Sequence, residues 1–338
     1  MEILLLIPIV LSFVLTIIFL PKWIKKCKQV GLLWEDMNKF GHTKNVASSG
    51  GIIVVMSFIL ATLVYIFVRT FFLNADGVNL KIFASLSVIL ILAIVGLVDD
   101  LLGWQHGGLS VKIRLFLILV ASIPLVVINA GTHFITLPYF GIVSLGIIYI
   151  FVVIPIGIVG STATYNFLAG MNGLEAGQGI IILSFLSFVA YVTGSSWLAM
   201  IGLLMIVALL AFYLYNKYPA QVFPGDILTY SVGALIGIMA ILGNFEKIAL
   251  FIFIPYIAET FLKLRGRLKK QSFAKPNKDG SLEMPYNKIY GLTHLSLFIL
   301  KKFKKKVYER DVVYLIFVFQ IILCLLALLI FRETLFVW

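Results

Sequence analysis

The chain has 338 residues, 61% of them hydrophobic and only 12% charged, with a mean hydropathy of +1.08. A soluble domain carries about a quarter charged residues, so a soluble globular fold is excluded and an integral membrane protein is indicated. The net charge is +12, from 27 Lys and Arg against 15 Asp and Glu. In a chain of this kind such an excess records topology and attraction to anionic headgroups or substrates, so no nucleic-acid partner is expected.

A helix of about 20 apolar residues crosses a bilayer. Apolar runs at roughly 2–20, 51–69, 82–98, 115–130, 141–160, 179–193, 197–215, 227–243, 248–264 and 312–331 predict an all-α polytopic protein of about ten transmembrane helices. Met1–Leu20 is long enough to span and has no small-residue cleavage site, so it is expected to be retained. The loops 21–50, 99–114, 161–178, 216–226 and 265–311 hold 23 of the 27 Lys and Arg. The positive-inside rule puts them in the cytoplasm, with both termini outside. Cys27 lies in a basic loop and Cys324 deep in a late apolar run, which implies no disulfide framework.

The chemistry-bearing residues fall on that same face. Gly96-Leu-Val-Asp99-Asp100-Leu-Leu-Gly103 ends the third span. Acids at a helix C-terminus oppose the macrodipole, so this placement costs stability and points to use. Neighbours on a helix diverge by about 100°, so the pair is expected to divide roles. Gly107-Gly108-Leu-Ser-Val-Lys112 offers a glycine turn, a helix start and a cation that could receive phosphate. Asn166-Phe-Leu-Ala-Gly-Met-Asn172-Gly-Leu-Glu175-Ala-Gly-Gln178 is a polar, glycine-rich loop between apolar runs. It holds oxygen ligands among glycines that let backbone approach a ligand closely. Phe223-Pro-Gly-Asp226 opens the eighth span, with a carboxylate well placed on the helix dipole and an aromatic that could stack on a base. In the 265–311 loop, the only sizeable extramembrane piece, a hairpin is expected to turn at Asp279-Gly280. After it, Gly291–Tyr308 reads as a basic amphipathic helix in the headgroup layer, with Leu292, Leu295, Phe298, Ile299 and Phe303 on one face.

The Asn166–Gln178 segment strongly resembles the N-x-x-A-G-x-N-G-L-E-A-G-Q segment of the dolichyl-phosphate N-acetylglucosamine-1-phosphotransferases. These form the eukaryotic and archaeal branch of the polyprenyl-phosphate sugar-1-phosphate transferases. The resemblance runs in the family's order from Asp36 to about Lys302, as a single transmembrane catalytic domain with its active site at the cytoplasmic face. It implies transfer of GlcNAc-1-phosphate from UDP-GlcNAc to dolichyl or another polyprenyl phosphate, giving GlcNAc-diphosphodolichol and UMP.

By the same resemblance Asn166 and Asp226 hold Mg²⁺, with Mn²⁺ as a substitute, and Lys112 contacts the pyrophosphate. Asp99 and Asp100 orient or deprotonate the acceptor, or order metal-bound water. Asp36-Met37-Asn38-Lys39 resembles the nucleotide-pocket D-x-N-K; Asn172, Glu175 and Phe223 join the substrate site, with Phe223 packing on uracil. Two departures stand out. The family's Pro-Glu after D-x-N-K is Val46-Ala47 here. Its last-loop Arg/His motif is replaced by Lys269-Lys270-Gln-Ser-Phe-Ala-Lys275-Pro, so Lys275, Arg265 or Arg267 is expected to supply charge there. A sibling enzyme using another UDP-sugar or polyprenol therefore stays open, as does a homodimer. A lipid or ion transporter is the alternative class. It would place charge and broken helices at the midplane, whereas these carboxylates gather at one face. The short loops and the lack of a C-terminal retrieval signal fit an archaeal cell membrane better than the endoplasmic reticulum.

Overall fold

The computed structural model describes residues 2–42, 44–137 and 141–335. The chain runs α1 (Leu6–Val30), β1 (Leu33–Glu35), β2 (Lys44–Ala47), α2 (Gly51–Phe71), α3 (Asn79–His106), α4 (Val111–Ala121), α5 (Ile123–Val127), β3 (Phe134–Leu137), β4 (Gly141–Ser144), α6 (Ile154–Phe167), α7 (Leu174–Val192), α8 (Ser196–Asn216), α9 (Gly225–Gly243), α10 (Glu246–Ile252), α11 (Ile254–Arg265), β5 (Lys275–Pro276), β6 (Leu282–Glu283), α12 (Leu292–Lys301), α13 (Glu309–Ile330) and α14 (Arg332–Leu335). Three separate two-stranded antiparallel hairpins are its strand structure among the described residues.

Eight helices among the described residues are long and apolar enough to cross a membrane, which makes this a helical multi-pass membrane protein. Two of the ten expected runs are divided into shorter helices and a third is displaced, and each difference has a local cause. The run 115–130 forms α4 and the five-residue α5, divided next to Pro124. The run 248–264 is divided between α10 and α11 next to Pro255. Proline lacks the N–H a continuous helix needs and crowds the preceding turn, and Pro124 and Pro255 each fall in the first turn of a new helix. The fifth span is displaced: Gly141–Ser144 pairs as a strand, and helix begins in the π-turn Tyr149–Val153 that leads into α6.

The architecture is centred on α9. Every residue from Ile227 to Leu242 of this helix is buried, and it packs against α3, α6 and α7. Interhelical packing in a bilayer depends on close van der Waals fit because lipid is as apolar as the core. Gly96 of α3 shows what that fit does. A Cβ there would lie 2.5 Å from the Ile227 backbone nitrogen and 2.6 Å from the Asp226 carbonyl oxygen. Glycine thus lets the end of α3 lie directly on the start of α9, which sets Asp99 and Asp100 against Asp226.

The 265–311 region forms the expected hairpin, with Lys275 opposite Glu283 and Pro276 opposite Leu282. Lys306 pairs with Asp279 at 2.8 Å and holds that carboxyl well below the usual carboxylate range. The helix after it, α12, is shorter than expected, and its protein-facing side is partly polar. Thr293, His294 and Leu297 point inward, while Phe298 and Phe303 of the expected apolar face are exposed. Thr293 Oγ1 donates to the Ser272 carbonyl at 2.8 Å and His294 Nε2 lies 3.3 Å from the Phe273 carbonyl, so α12 is tied to the strap 272–274 by polar contacts that apolar periodicity does not reveal.

Candidate active site

A cavity of about 420 Å³ opens where α3, α6, α7 and α9 end on one face. Its walls include Glu35, Asp36, Met37, Asp99, Asp100, Arg114, Asn166, Glu175, Phe223 and Asp226, with Trp34 and Phe273 as further aromatic walls. Six carboxylates thus face one basic side chain, Arg114.

The adjacent aspartates diverge as neighbours on a helix must. Asp99 turns toward α4: its Oδ1 accepts from the Leu109 backbone N–H at 2.6 Å, and Arg114 Nε reaches its Oδ2 at 2.9 Å. Asp100 turns toward α9 and accepts from the backbone N–H groups of Asp226 at 2.7 Å and Ile227 at 3.5 Å. It therefore satisfies donors that a helix N-terminus leaves free. Gly225, at φ +72°, makes this possible, since a Cβ there would sit 2.2 Å from Asp100 Oδ2. Asp226 is left facing the cavity, 3.7 Å from Arg114 Nη1.

Arg114 is the residue that the sequence reading passed over. Lys112 is exposed and does not line the cavity, whereas Arg114, two residues on, spans Asp99 and Asp226 and also donates from Nε to the Leu109 carbonyl at 2.9 Å. Ser110 caps α4 by accepting from the Ile113 N–H, which sets the helical phase that turns position 114 inward. Helical phase from that cap was the signal available. Arg267 and Lys275 are likewise exposed and lie outside the cavity walls; Phe273 reaches the cavity from the strap between them.

The glycine-rich loop is held from behind. Asn172 is buried, and every polar atom of its side chain is engaged. Its Nδ2 donates to Glu309 at 2.8 and 2.9 Å and to Asp36 Oδ2 at 3.1 Å, and its Oδ1 accepts from the Ala220 N–H at 3.1 Å. Its own backbone N–H donates to Glu309 Oε1 at 2.7 Å. Lys39 Nζ completes the cluster, 2.6 Å from Glu309 and 3.5 Å from Asp36. Asn38 links the layers: Nδ2 donates to the Gly170 carbonyl at 2.7 Å and Oδ1 accepts from the Ala274 N–H at 3.0 Å. Asn38 and Asn172 thus sit behind the cavity wall. Glu309, at the start of α13, is a second missed residue and, unlike Arg114, has no sequence signal, because it lies 137 positions from Asn172. Glu175 Oε1 accepts from the Gly170 N–H at 2.8 Å, while its buried Oε2 has no partner among the described residues.

The donor set can be tested for a divalent cation. Among the described residues no three His, Cys, Asp or Glu side chains converge as a closed ligand set. Asp99 and Asp100 are turned to Arg114 and to backbone N–H groups, which leaves Asp226 and Asn166 as the oxygen-bearing side chains of the expected ion site that line the cavity. Two hard oxygen donors in a wall of six carboxylates and one guanidinium suit Mg²⁺, which keeps waters and takes substrate phosphate oxygens for its other positions. The residues present fit such an ion.

Membrane helices converging on an acidic, aromatic-walled cavity at one face define an enzyme-like site built for a charged substrate that meets the bilayer. The comparisons name the family: the glycosyl transferase family 4 model matches residues 82–244, which carry the Asp99-Asp100, Asn166–Gln178 and Asp226 segments. Two archaeal proteins, each provisionally named UDP-N-acetylglucosamine--dolichyl-phosphate N-acetylglucosaminephosphotransferase, are similar over nearly the whole chain. The one from Saccharolobus solfataricus is 32% identical over 97% of both chains; the one from Sulfolobus acidocaldarius is 32% identical over 95% of this chain and 94% of its own. A phospho-N-acetylmuramoyl-pentapeptide-transferase of Streptococcus agalactiae is 30% identical over 74% of this chain and 76% of its own. This chain belongs to glycosyl transferase family 4.

Proposed function

We propose that this protein transfers GlcNAc-1-phosphate from UDP-GlcNAc to dolichyl or another polyprenyl phosphate, releasing UMP, at the cytoplasmic face of a cell membrane. The observation that carries this reading is the cavity itself. Six carboxylates and one guanidinium wall a space where membrane helices end. An anionic nucleotide diphosphate enters such a space only with a cation, and an anionic lipid headgroup reaches it from the bilayer edge. The names of the full-length archaeal relatives support the choice of donor and acceptor.

In this reading an oxygen of the lipid phosphate attacks the β-phosphorus of the nucleotide sugar. The bond from that phosphorus to the bridging oxygen breaks, and UMP leaves. Mg²⁺, held by Asp226 and Asn166, would supply charge neutralisation at the diphosphate. Arg114 faces the same cavity and meets charge that develops on the leaving phosphate. Asp99 orients Arg114, and Asp100 fixes the first turn of α9 and so the position of Asp226. The acceptor phosphate monoester has a second pKa near 6 and is mostly a dianion at neutral pH. The reaction thus asks for positioning more than for a strong base. Phe223 offers a face for the uracil ring, and Glu175 holds the glycine-rich loop at the cavity wall through the Gly170 N–H. Asn172 acts through the loop it holds.

The test is a panel of labelled UDP-sugars, UDP-MurNAc-pentapeptide included, with a polyprenyl phosphate and Mg²⁺. UDP-GlcNAc is expected to be the donor, and Asp226→Asn and Asn166→Ala are expected to abolish turnover in folded protein. Faster turnover of another donor would overturn the substrate assignment, and near-normal activity of either variant at saturating Mg²⁺ would overturn the metal assignment.

A further inference from the structure

A second, open groove of about 470 Å³ lies away from the active site, between the end of α1 and the end of α8. It is lined by Pro21, Ile24, Lys25, Lys28, Gln29 and Gln221, with Tyr215 on the α8 side. Along α1 these residues pass from apolar to charged over eight positions, about 12 Å of helix. The apolar end, Pro21 and Ile24, continues the apolar stretch of α1; the charged end falls in its last two turns, which close at Val30. Neither Lys25 nor Lys28 forms an ion pair among the described residues, and no carboxylate lines the cavity. Basic cavities between membrane helices on the positive-inside face accept lipid headgroups.

We infer that this cavity is a binding site for the phosphate headgroup of an anionic membrane phospholipid. The phosphate sits between Lys25 and Lys28, with Gln29 and Gln221 as neutral donors, and the acyl chains leave along Pro21 and Ile24. The site adjoins the strap that carries Phe223. The carbonyl of Gln221 accepts from Ala47 N–H at 3.2 Å, and the Phe223 N–H donates to the Ala47 carbonyl at 2.8 Å. From α1, Trp23 Nε1 donates to the carbonyl of Ser48, a residue of the active-site wall, at 3.0 Å. A headgroup held here braces α1 against the segment that leads to Asp226.

The experiment measures lipid binding and thermal stability, so it stands apart from the assigned reaction. Full-length protein is placed in nanodiscs of phosphatidylcholine with increasing phosphatidylglycerol, and retained lipid is counted by native mass spectrometry alongside the melting temperature. Each lysine close to an anionic headgroup is worth about fivefold in affinity, so Lys25→Gln/Lys28→Gln is expected to weaken phosphatidylglycerol retention about twenty-five-fold and to remove its effect on melting. The Lys25→Arg/Lys28→Arg pair is expected to retain binding. The control is Lys301→Gln/Lys302→Gln, which removes two charges from α12, away from this cavity. Equal losses in control and test variants would mean only diffuse surface attraction and would overturn the site. Stabilisation by inorganic phosphate that matches that by phosphatidylglycerol would overturn the lipid as ligand.

Discussion

Glu309 is where the scaffold behind the active site is most exposed to a single change. Its carboxylate is buried and accepts from the backbone and side chain of Asn172 and from Lys39, all within 2.9 Å. Glu309→Gln keeps the shape but turns an NH₂ toward groups that are themselves donors. At least one bond to a charged partner is lost, worth about 1.5–3 kcal/mol. Lys39 is one-quarter exposed and retains Asp36 at 3.5 Å, which discounts the penalty for its stranded charge. The expected net loss is about 2–3 kcal/mol, below the ~3–5 kcal/mol of a fully buried broken pair. The assay is reversible unfolding in detergent, with a double-mutant cycle against Lys39→Met, in which a coupling of at least about 1 kcal/mol is expected. Because Glu309 acts by holding the 168–173 loop, KM for the nucleotide sugar is expected to rise more than kcat falls. A stability change under about 0.5 kcal/mol, the level of an ordinary surface substitution, would refute the buried-network reasoning.

Arg114→Ala is expected to lower kcat/KM on the order of a hundredfold, the scale of a lost charge-stabilising donor, with Arg114→Lys intermediate because lysine lacks the planar fork; Lys112→Ala is expected to change it by less than about threefold. The reverse ranking in steady-state kinetics would return the cation role to Lys112. Gly225→Ala is expected to abolish activity in a folded protein, since the new methyl meets Asp100 Oδ2 at 2.2 Å; wild-type rates would show that the start of α9 can shift freely. His294 is held below its usual pKa by burial, and its Nδ1 accepts from the Tyr290 N–H, which fixes the neutral Nε2–H form. The unfolded chain therefore binds a proton at higher pH than the folded one, so stability is lost as pH falls below about 6.5. Melts at pH 7.5 and 5.5 are expected to diverge more for wild type than for His294→Gln, and equal divergence would remove His294 as the cause.

Much of this molecule was legible from composition and short motifs, because a bilayer enforces apolar runs and a positive-inside bias. Asp99, Asp100, Asn166 and Asp226 were each marked by a carboxylate or carboxamide among glycines at a helix end, and the fold brings them to one cavity. What escaped was of two physical kinds. Helix breaks at Pro124 and Pro255 depend on whether neighbours tolerate a lost hydrogen bond, and hydropathy averages over them. Arg114 and Glu309 depend on helical phase and on contacts across the chain. Arg114 was passed over for a lysine two positions away, and Glu309 meets its partners only after α13 docks behind the loop. The inward side of α12 escaped for a related reason: it is partly polar and defined by the strap 272–274.

The central claim is that a sugar-1-phosphate, and not a sugar, moves onto the lipid. UDP-GlcNAc labelled at the β-phosphorus, incubated with purified protein, Mg²⁺ and a polyprenyl phosphate, tests it directly. The account predicts that the label enters the organic phase as a lipid diphosphate in step with unlabelled UMP in the aqueous phase. Label recovered in aqueous UDP while the sugar passes to lipid would contradict it, as would no lipid product from any polyprenyl phosphate offered.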